Sequence, residues 1–214
     1  MRWRIAPMGE AALLAEAEGD DQGAANRAAL AAAAALEADP PPGLTAVVPA
    51  IASLLVCFEP LTISHAAIAA RLRALLAVAA GGERQGQLVE IAARYGGEHG
   101  PDLEEVALAL GLTPAEVVAL HTAAPLRVLM LGFAPGYPYI GPLPPGLQLP
   151  RRATPRAAVP AGSLAIAAGL TGIYPARLPG GWHLIGRTEL RLFDPTAEPP
   201  ALLAPGDMVQ FVAH

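Results

Sequence analysis

Gly132-Phe133-Ala134-Pro135-Gly136-Tyr137, Pro150-Arg151-Arg152-Ala153-Thr154-Pro155-Arg156, Thr171-Gly172-Ile173-Tyr174-Pro175 and Gly180-Gly181-Trp182-His183-Leu184-Ile185-Gly186-Arg187 follow one another in a single run over 127–194. Proline fixes φ and glycine admits backbone angles closed to other residues, so this punctuation sets short strands between stiff, individually shaped loops. Of the 23 prolines in the chain, 15 fall between Pro125 and Pro205, which leaves no room there for a long helix. Strands are expected over 127–132, 146–148, 162–167, 173–175, 183–187 and 208–212, and this spacing points to a closed or nearly closed β-barrel. Rigid loops on a sheet are where binding and catalytic groups tend to sit.

Toward the N-terminus the pattern changes. A strand over 88–95 leads through Gly96-Gly97-Glu98-His99-Gly100-Pro101-Asp102 into helices over 103–110 and 113–121. Gly111 stops the first of these, and Thr113 with Glu116 three residues on forms a capping box for the second. Earlier still come strands over 3–5 and 11–17, a helix over 22–37 broken by Asp39-Pro40-Pro41-Pro42-Gly43, strands over 44–48 and 53–58, and a helix opened by Ser64 or His65 that runs to about 80. This ββαββα order predicts a small α+β sandwich with both helices on one face of the sheet. The glycine-rich segment 81–86 reads as a linker. The expected fold class is therefore α+β, with a small α+β domain over 1–86 followed by a β-barrel domain over 87–214.

Composition narrows the function. All 14 basic residues are arginine, and the absence of lysine excludes a Schiff-base lysine, a P-loop lysine and a biotinyl-lysine site on this chain. Residues 1–124 carry 7 Arg against 15 acids and residues 125–214 carry 7 Arg against 4 acids, so the halves stand at −8 and +3 and sum to the net −5. The acidic half argues against nucleic acid. Alanine inflates the mean hydropathy, and no stretch offers the roughly 18 strongly apolar residues of a membrane span. The N-terminal Met1-Arg2-Trp3-Arg4-Ile5, with Pro7, Gly9 and Glu10 close behind, lacks the apolar core of a signal peptide, so a cytoplasmic location is the expectation. The single Cys57 sits in an apolar run, which predicts a buried thiol. His65, His99, His121, His183 and His214 are dispersed and no Cys-x-x-Cys occurs, so no metal site is expected.

Arg151, Arg152 and Arg156 form a tight cluster suited to a small anion such as a carboxylate or phosphate, because guanidinium forks match those oxygens. No P-loop-like glycine cradle accompanies them.

Taken in order, the C-terminal motifs together with Gly9-Glu10, Asn26-Arg27, Ser53-Leu54-Leu55-Val56, the run from Tyr95 to Leu103, and His121 resemble the allophanate hydrolase subunit 1 family. It is also called the carboxyltransferase C/D-subdomain family, and its stand-alone bacterial members serve as the B-type subunit of 5-oxoprolinase. The likeness covers essentially the whole chain. It departs at Gly9-Glu10, where the family often has Gly-Asp, and at Ala92 or Ala93, where the family often has proline. The resemblance implies a cyclophilin-like barrel after the α+β domain. It also implies two partners, an allophanate hydrolase subunit 2-like protein (the C-type component of 5-oxoprolinase) and a LamB/YcsF-like protein (the A-type component). Together these would open 5-oxo-L-proline to L-glutamate with ATP, used with Mg2+ at a site shared with or supplied by a partner. The isolated chain is expected to be inactive. A carboxyltransferase-type protein handling a urea- or allophanate-like substrate and an inhibitor of a sporulation histidine kinase are the alternatives from other classes.

For such chemistry Arg151, Arg152 and Arg156 are the expected anion clamp. His121, ending a helix, is a candidate general base or acid, and the helix C-terminus favours its protonated form. Strand alternation puts Trp182 and His183 on opposite faces, one in the core and the other toward a cleft or solvent, which makes His183 the second candidate histidine. Phe133, Gly136, Tyr137, Thr171, Tyr174 and Arg187 complete the expected substrate-binding set.

Overall fold

The computed structural model describes residues 1–78 and 86–214 and divides into two compact units, Met1–Gln85 and Gly86–His214. The expected linker over 81–86 lies outside the described residues apart from Gly86.

The first unit runs β1 (Arg2–Pro7), β2 (Ala12–Glu18), α1 (Gln22–Ala38), β3 (Leu44–Pro49), β4 (Ser53–Phe58) and α2 (His65–Val78). The sheet is antiparallel in the order β1-β2-β4-β3. Alternation sends Leu54, Val56 and Phe58 of β4 to one face, where they meet Ala29, Ala32, Ala33 and Leu36 of α1 and Ile68, Leu72 and Leu76 of α2. The alanines give α1 a low-bulk inner stripe. Asp21 caps α1 by accepting from the Ala24 amide at 2.9 Å. Across the other face, Arg2 pairs with Glu18 and Arg4 with Glu16. Cys57 is a half-buried free thiol, so its expected burial is only partial.

In the second unit, β5 (Leu88–Tyr95) is followed by α3 (Leu103–Leu110) and α4 (Pro114–Thr122), then β6 (Leu126–Leu131), β7 (Pro138–Gly141), β8 (Arg156–Val159), β9 (Ser163–Ala167), β10 (Leu170–Ile173), β11 (Leu178–Gly180), β12 (His183–Arg187) and β13 (Met208–Ala213). Seven strands close a barrel in the order β10-β7-β6-β13-β5-β12-β9, while β8 and β11 form a separate ribbon. The contact between β5 and β13 is parallel and the other barrel pairings are antiparallel. Ile91, Val128, Ile140, Leu164, Ile166, Ile185, Val209 and Phe211 fill the interior, with Val106 of α3 and Val117 of α4 packed into the same core. The capping box at Thr113 forms, its hydroxyl accepting from the Glu116 amide and the Glu116 carboxylate accepting from the Thr113 amide.

Two expected strands are corrected. Residues 145–147 form a 3-10 turn instead of a strand over 146–148, because Pro144 and Pro145 preset a turning backbone. The strand expected over 173–175 lies earlier, at Leu170–Ile173, and ends before Pro175. Sequence reading also missed β7, β8 and β11, each of three or four residues and flanked or interrupted by proline or glycine. Among the described residues no helix is long and apolar enough to cross a membrane.

Candidate functional site

Asp102, the last residue of the loop after β5, is the anchor of the arginine cluster. Its side chain is 4% exposed. Arg156 grips it with two parallel bonds, Nη1 to Oδ2 at 2.9 Å and Nη2 to Oδ1 at 2.6 Å. Arg152 Nη1 reaches Oδ1 at 3.1 Å and Glu105 Oε2 at 3.0 Å, and the Leu184 amide donates to Oδ2 at 2.7 Å. The Glu105 hydrogen bond, ahead of the attraction of the nearby carboxylates, raises the pKa of Arg152 above its ordinary value. The three arginines expected to act together therefore stand in different circumstances. Arg152 and Arg156 already hold an anion that the chain supplies, and only Arg151, exposed, makes no hydrogen bond or ion pair with any described residue.

Beside Arg151 stands an aromatic cluster. Tyr137 packs edge-on against Tyr174 at 5.1 Å between centroids and against Trp182 at 6.2 Å, and Tyr139 meets Trp182 at 5.8 Å. Burial pushes the Tyr137 and Tyr174 hydroxyls up from their ordinary pKa, and the two are hydrogen-bonded to each other, so they are neutral donors at any physiological pH. Glycines make the space. A Cβ on Gly172 would stand 2.6 Å from the Tyr137 hydroxyl, and one on Gly180 2.0 Å from the Tyr174 hydroxyl. Phe133 sits edge-on to Tyr137 at 5.4 Å, and holds φ of 66°, a strained conformation for a non-glycine residue. The residue is 59% exposed, and Gly136, with φ of 75°, turns the same loop.

The histidines lie inside. His121 is fully buried, with Nδ1 2.8 Å from the Tyr95 hydroxyl and Nε2 2.9 Å from Thr171 Oγ1. Thr171 donates its own proton to the Ala165 carbonyl at 3.1 Å, so it accepts from Nε2–H of His121, and Nδ1 accepts from Tyr95. Burial lowers the His121 pKa to about 3. The protonated histidine expected from the helix end is thus corrected: desolvation outweighs the helix dipole. Thr171 likewise has no hydroxyl facing a cleft. Trp182 precedes β12 and packs in the aromatic core, and His183 is buried as well, which corrects the expectation that one of them faces a cleft or solvent. His183 Nε2 donates to the Pro150 carbonyl at 3.0 Å and thereby fixes the backbone next to Arg151.

Arg187 is elsewhere. It lines a cavity of about 920 Å³, with Arg94, His99, Pro175, Leu190 and Arg191 among its neighbours. The structure therefore brings Arg151, Phe133, Gly136, Tyr137 and Tyr174 together and separates His121, Thr171 and Arg187 from them. Asp102 was missed in sequence because a Gly-Pro-Asp triplet reads as a turn. Its one sequence signal is a carboxylate just before a helix, which more often marks a cap; the Asp102 side chain makes no such capping bond. Among the described residues no cluster of His, Cys, Asp or Glu is arranged to hold a metal ion.

With this geometry in place, comparisons with known proteins place the chain. The B-type subunit of the Bacillus subtilis 5-oxoprolinase is 40% identical over 223 residues, covering 99% of this chain and 93% of that one. The crystal structure of TTHA0988 superposes with a TM-score of 0.82 at 41% identity, over 95% of this chain and 39% of that longer one. The urea amidolyase of K. lactis shares the fold, with a TM-score of 0.76 at 18% identity over 99% of this chain and 15% of its own. Residues 3–203 match the family described as carboxyltransferase domain, subdomain C and D, and the chain belongs to that family.

Proposed function

We propose that this chain is the B-type subunit of an ATP-dependent 5-oxoprolinase. In this reading it opens the lactam of 5-oxo-L-proline to L-glutamate with an allophanate hydrolase subunit 2-like partner (the C-type component) and a LamB/YcsF-like partner (the A-type component), and is inactive alone. The observation that carries the reading is the full-length likeness to the Bacillus subtilis protein. The carboxyltransferase alternative has behind it a likeness at 18% identity, which speaks for fold alone.

The geometry supports a division of labour. A lactam carbonyl is a poor electrophile, and its opening builds negative charge on oxygen in a site that already holds the substrate's carboxylate. Arg151 takes that carboxylate, since a guanidinium with both terminal nitrogens unoccupied binds it as a fork. The Tyr137–Tyr174 pair, held neutral at physiological pH by burial, supplies a hydroxyl donor, and fixed donors aimed at developing charge are an effective catalytic device. Tyr139 and Trp182 pack around Tyr137 and keep its ring from water. Asp102 and His183 are positioning residues for the segment that bears Arg151. Arg151 alone does not match the charge of a triphosphate, so the tyrosine cluster is not the ATP site; in this reading ATP with Mg2+ uses a separate site that a partner shares or supplies.

The test is glutamate and ADP formation from 5-oxoproline and ATP by this chain combined with its two partners, each omitted in turn. Turnover is expected with all three and is expected to vanish when this chain is left out. Undiminished turnover in its absence, or none with all three present, overturns the reading and shifts weight to the kinase-inhibitor and carboxyltransferase alternatives.

A further inference from the structure

Arg94 of β5 and Arg187 of β12 are direct cross-strand partners in an antiparallel pair, so their side chains leave the sheet on the same face, and both line the cavity of about 920 Å³. Like charges directly opposite each other destabilise a sheet. Little in the chain relieves them. Glu189 approaches Arg94 only to 3.7 Å, with both side chains well exposed. Arg187 donates its Nε to the Ala161 carbonyl at 3.1 Å, which orients the guanidinium, while its terminal nitrogens make no ion pair with a described residue. Arg191, at the same cavity, is by contrast occupied by Asp194 at 2.8 Å and by the Phe193 carbonyl at 3.2 Å. Ala92, Ala161, Pro175 and Leu190 give the cavity apolar surface.

We propose that this cavity binds a phosphorylated small molecule of nucleotide size, with the phosphoryl group bridging Arg94 and Arg187 and a ring against the apolar wall. A phosphoryl dianion neutralises both guanidiniums, whereas one carboxylate leaves a positive charge behind. The volume falls within the range of about 300–1,000 Å³ typical of small-molecule sites. The site is distinct from the tyrosine cluster. The segment Tyr174-Pro175 separates the two: the Tyr174 ring belongs to the cluster, Pro175 lines the cavity, and the Gly162 amide donates to the Tyr174 carbonyl at 2.7 Å to hold that wall.

The experiment uses the full chain by itself, titrated calorimetrically with ATP, AMP and pyrophosphate at constant ionic strength, with 5-oxoproline and glutamate as carboxylate probes, and followed by thermal unfolding. Saturable binding of ATP or AMP with a raised unfolding midpoint is expected. Arg94→Gln and Arg187→Gln are each expected to weaken it about tenfold or more, as loss of a charge-assisted fork does. Without ligand both variants are expected to unfold at or above the wild-type midpoint, since each removes a like-charge contact. Absence of saturable binding, equal binding by the variants, or tighter binding of a carboxylate probe would overturn the proposal. Pyrophosphate binding as tightly as ATP would overturn the assignment of a ring-bearing ligand. Because the readout is binding to the isolated chain, it stands or falls separately from the turnover assay.

Discussion

Two pairs of arginines in the barrel unit meet opposite circumstances. Arg152 and Arg156 close around Asp102, a carboxylate whose side chain is 4% exposed and which also accepts from the Leu184 amide. Arg94 and Arg187 face each other across two strands, and among the described carboxylates only the exposed Glu189 lies within 4 Å of the former. The first pair ties the Pro150–Arg156 segment to the loop after β5 and so serves the fold; the second is left to interact with something outside the chain. A basic cluster in sequence carries no label saying which of these it is. The label is a carboxylate contributed by a distant segment.

Removing that carboxylate is the strongest way to break the contrast. Asp102→Asn leaves Arg156 without a charged partner and Arg152 with Glu105 alone, in a partly buried setting, and loss of one member of such a pair costs about 3 to 5 kcal/mol. The lower end is expected here because the arginines retain some solvent, and urea denaturation reads it directly.

A second buried polar group of the same unit sharpens the comparison through pH. His121 is held neutral, its pKa lowered from 6.5 to about 3, so as pH falls below 6.5 the unfolded chain takes up a proton that the folded chain refuses. The stabilisation is therefore complete above pH 6.5 and is lost as pH falls toward 3, at about 1.4 kcal/mol per pH unit where the difference is one full proton. His121→Gln is expected to flatten the dependence of stability on pH in that window, measured by denaturation at a series of pH values.

Gly172→Ala tests whether the tyrosine pair is rigidly placed. The added methyl would stand 2.6 Å from the Tyr137 hydroxyl, and Tyr137 is only 2% exposed, so an overpacking cost of about 1 to 3 kcal/mol is expected in chemical denaturation. The smallest effect on stability belongs to Arg151→Ala, within about 0.5 kcal/mol as for other surface changes. The same substitution is expected to lower kcat/KM for 5-oxoproline about tenfold or more in the reconstituted enzyme, the loss of one charge-assisted interaction. A stability change as large as that of Asp102→Asn would place Arg151 with the structural arginines after all.

The division between a helix-covered sheet and a proline-punctuated barrel was legible because both signals are local: period-2 alternation in Leu54, Val56 and Phe58, and the glycine and proline spacing after Pro125. The proline-rich strands were the hard ones. Pro138 opens β7 and hides the Tyr139-Ile140 pair behind a residue that ordinarily ends strands. The tyrosine cluster was legible in part, as Tyr137 and Tyr174 were each marked by an adjacent or nearby glycine. Burial was not legible: His121 occupies the last turn of a short helix, where propensity speaks for a charged residue, and its neutrality depends on Tyr95 and Thr171, which fold onto it from distant positions. The fate of Arg152 and Arg156 depended likewise on Asp102.

Of the seven barrel strands, the one that joins the two ends of the sheet is also the last to be made. β13 lies between β5, with which it pairs in parallel from Met208 opposite Leu88 to Ala213 opposite Ala93, and β6. During vectorial synthesis β5 and β6 must wait, as open edges, until β13 emerges, and such long-range pairing makes ordering slow. A nascent barrel of this kind is exposed to edge-to-edge association while it waits on the ribosome, and loss of Met208–Ala213 would leave that hazard permanent.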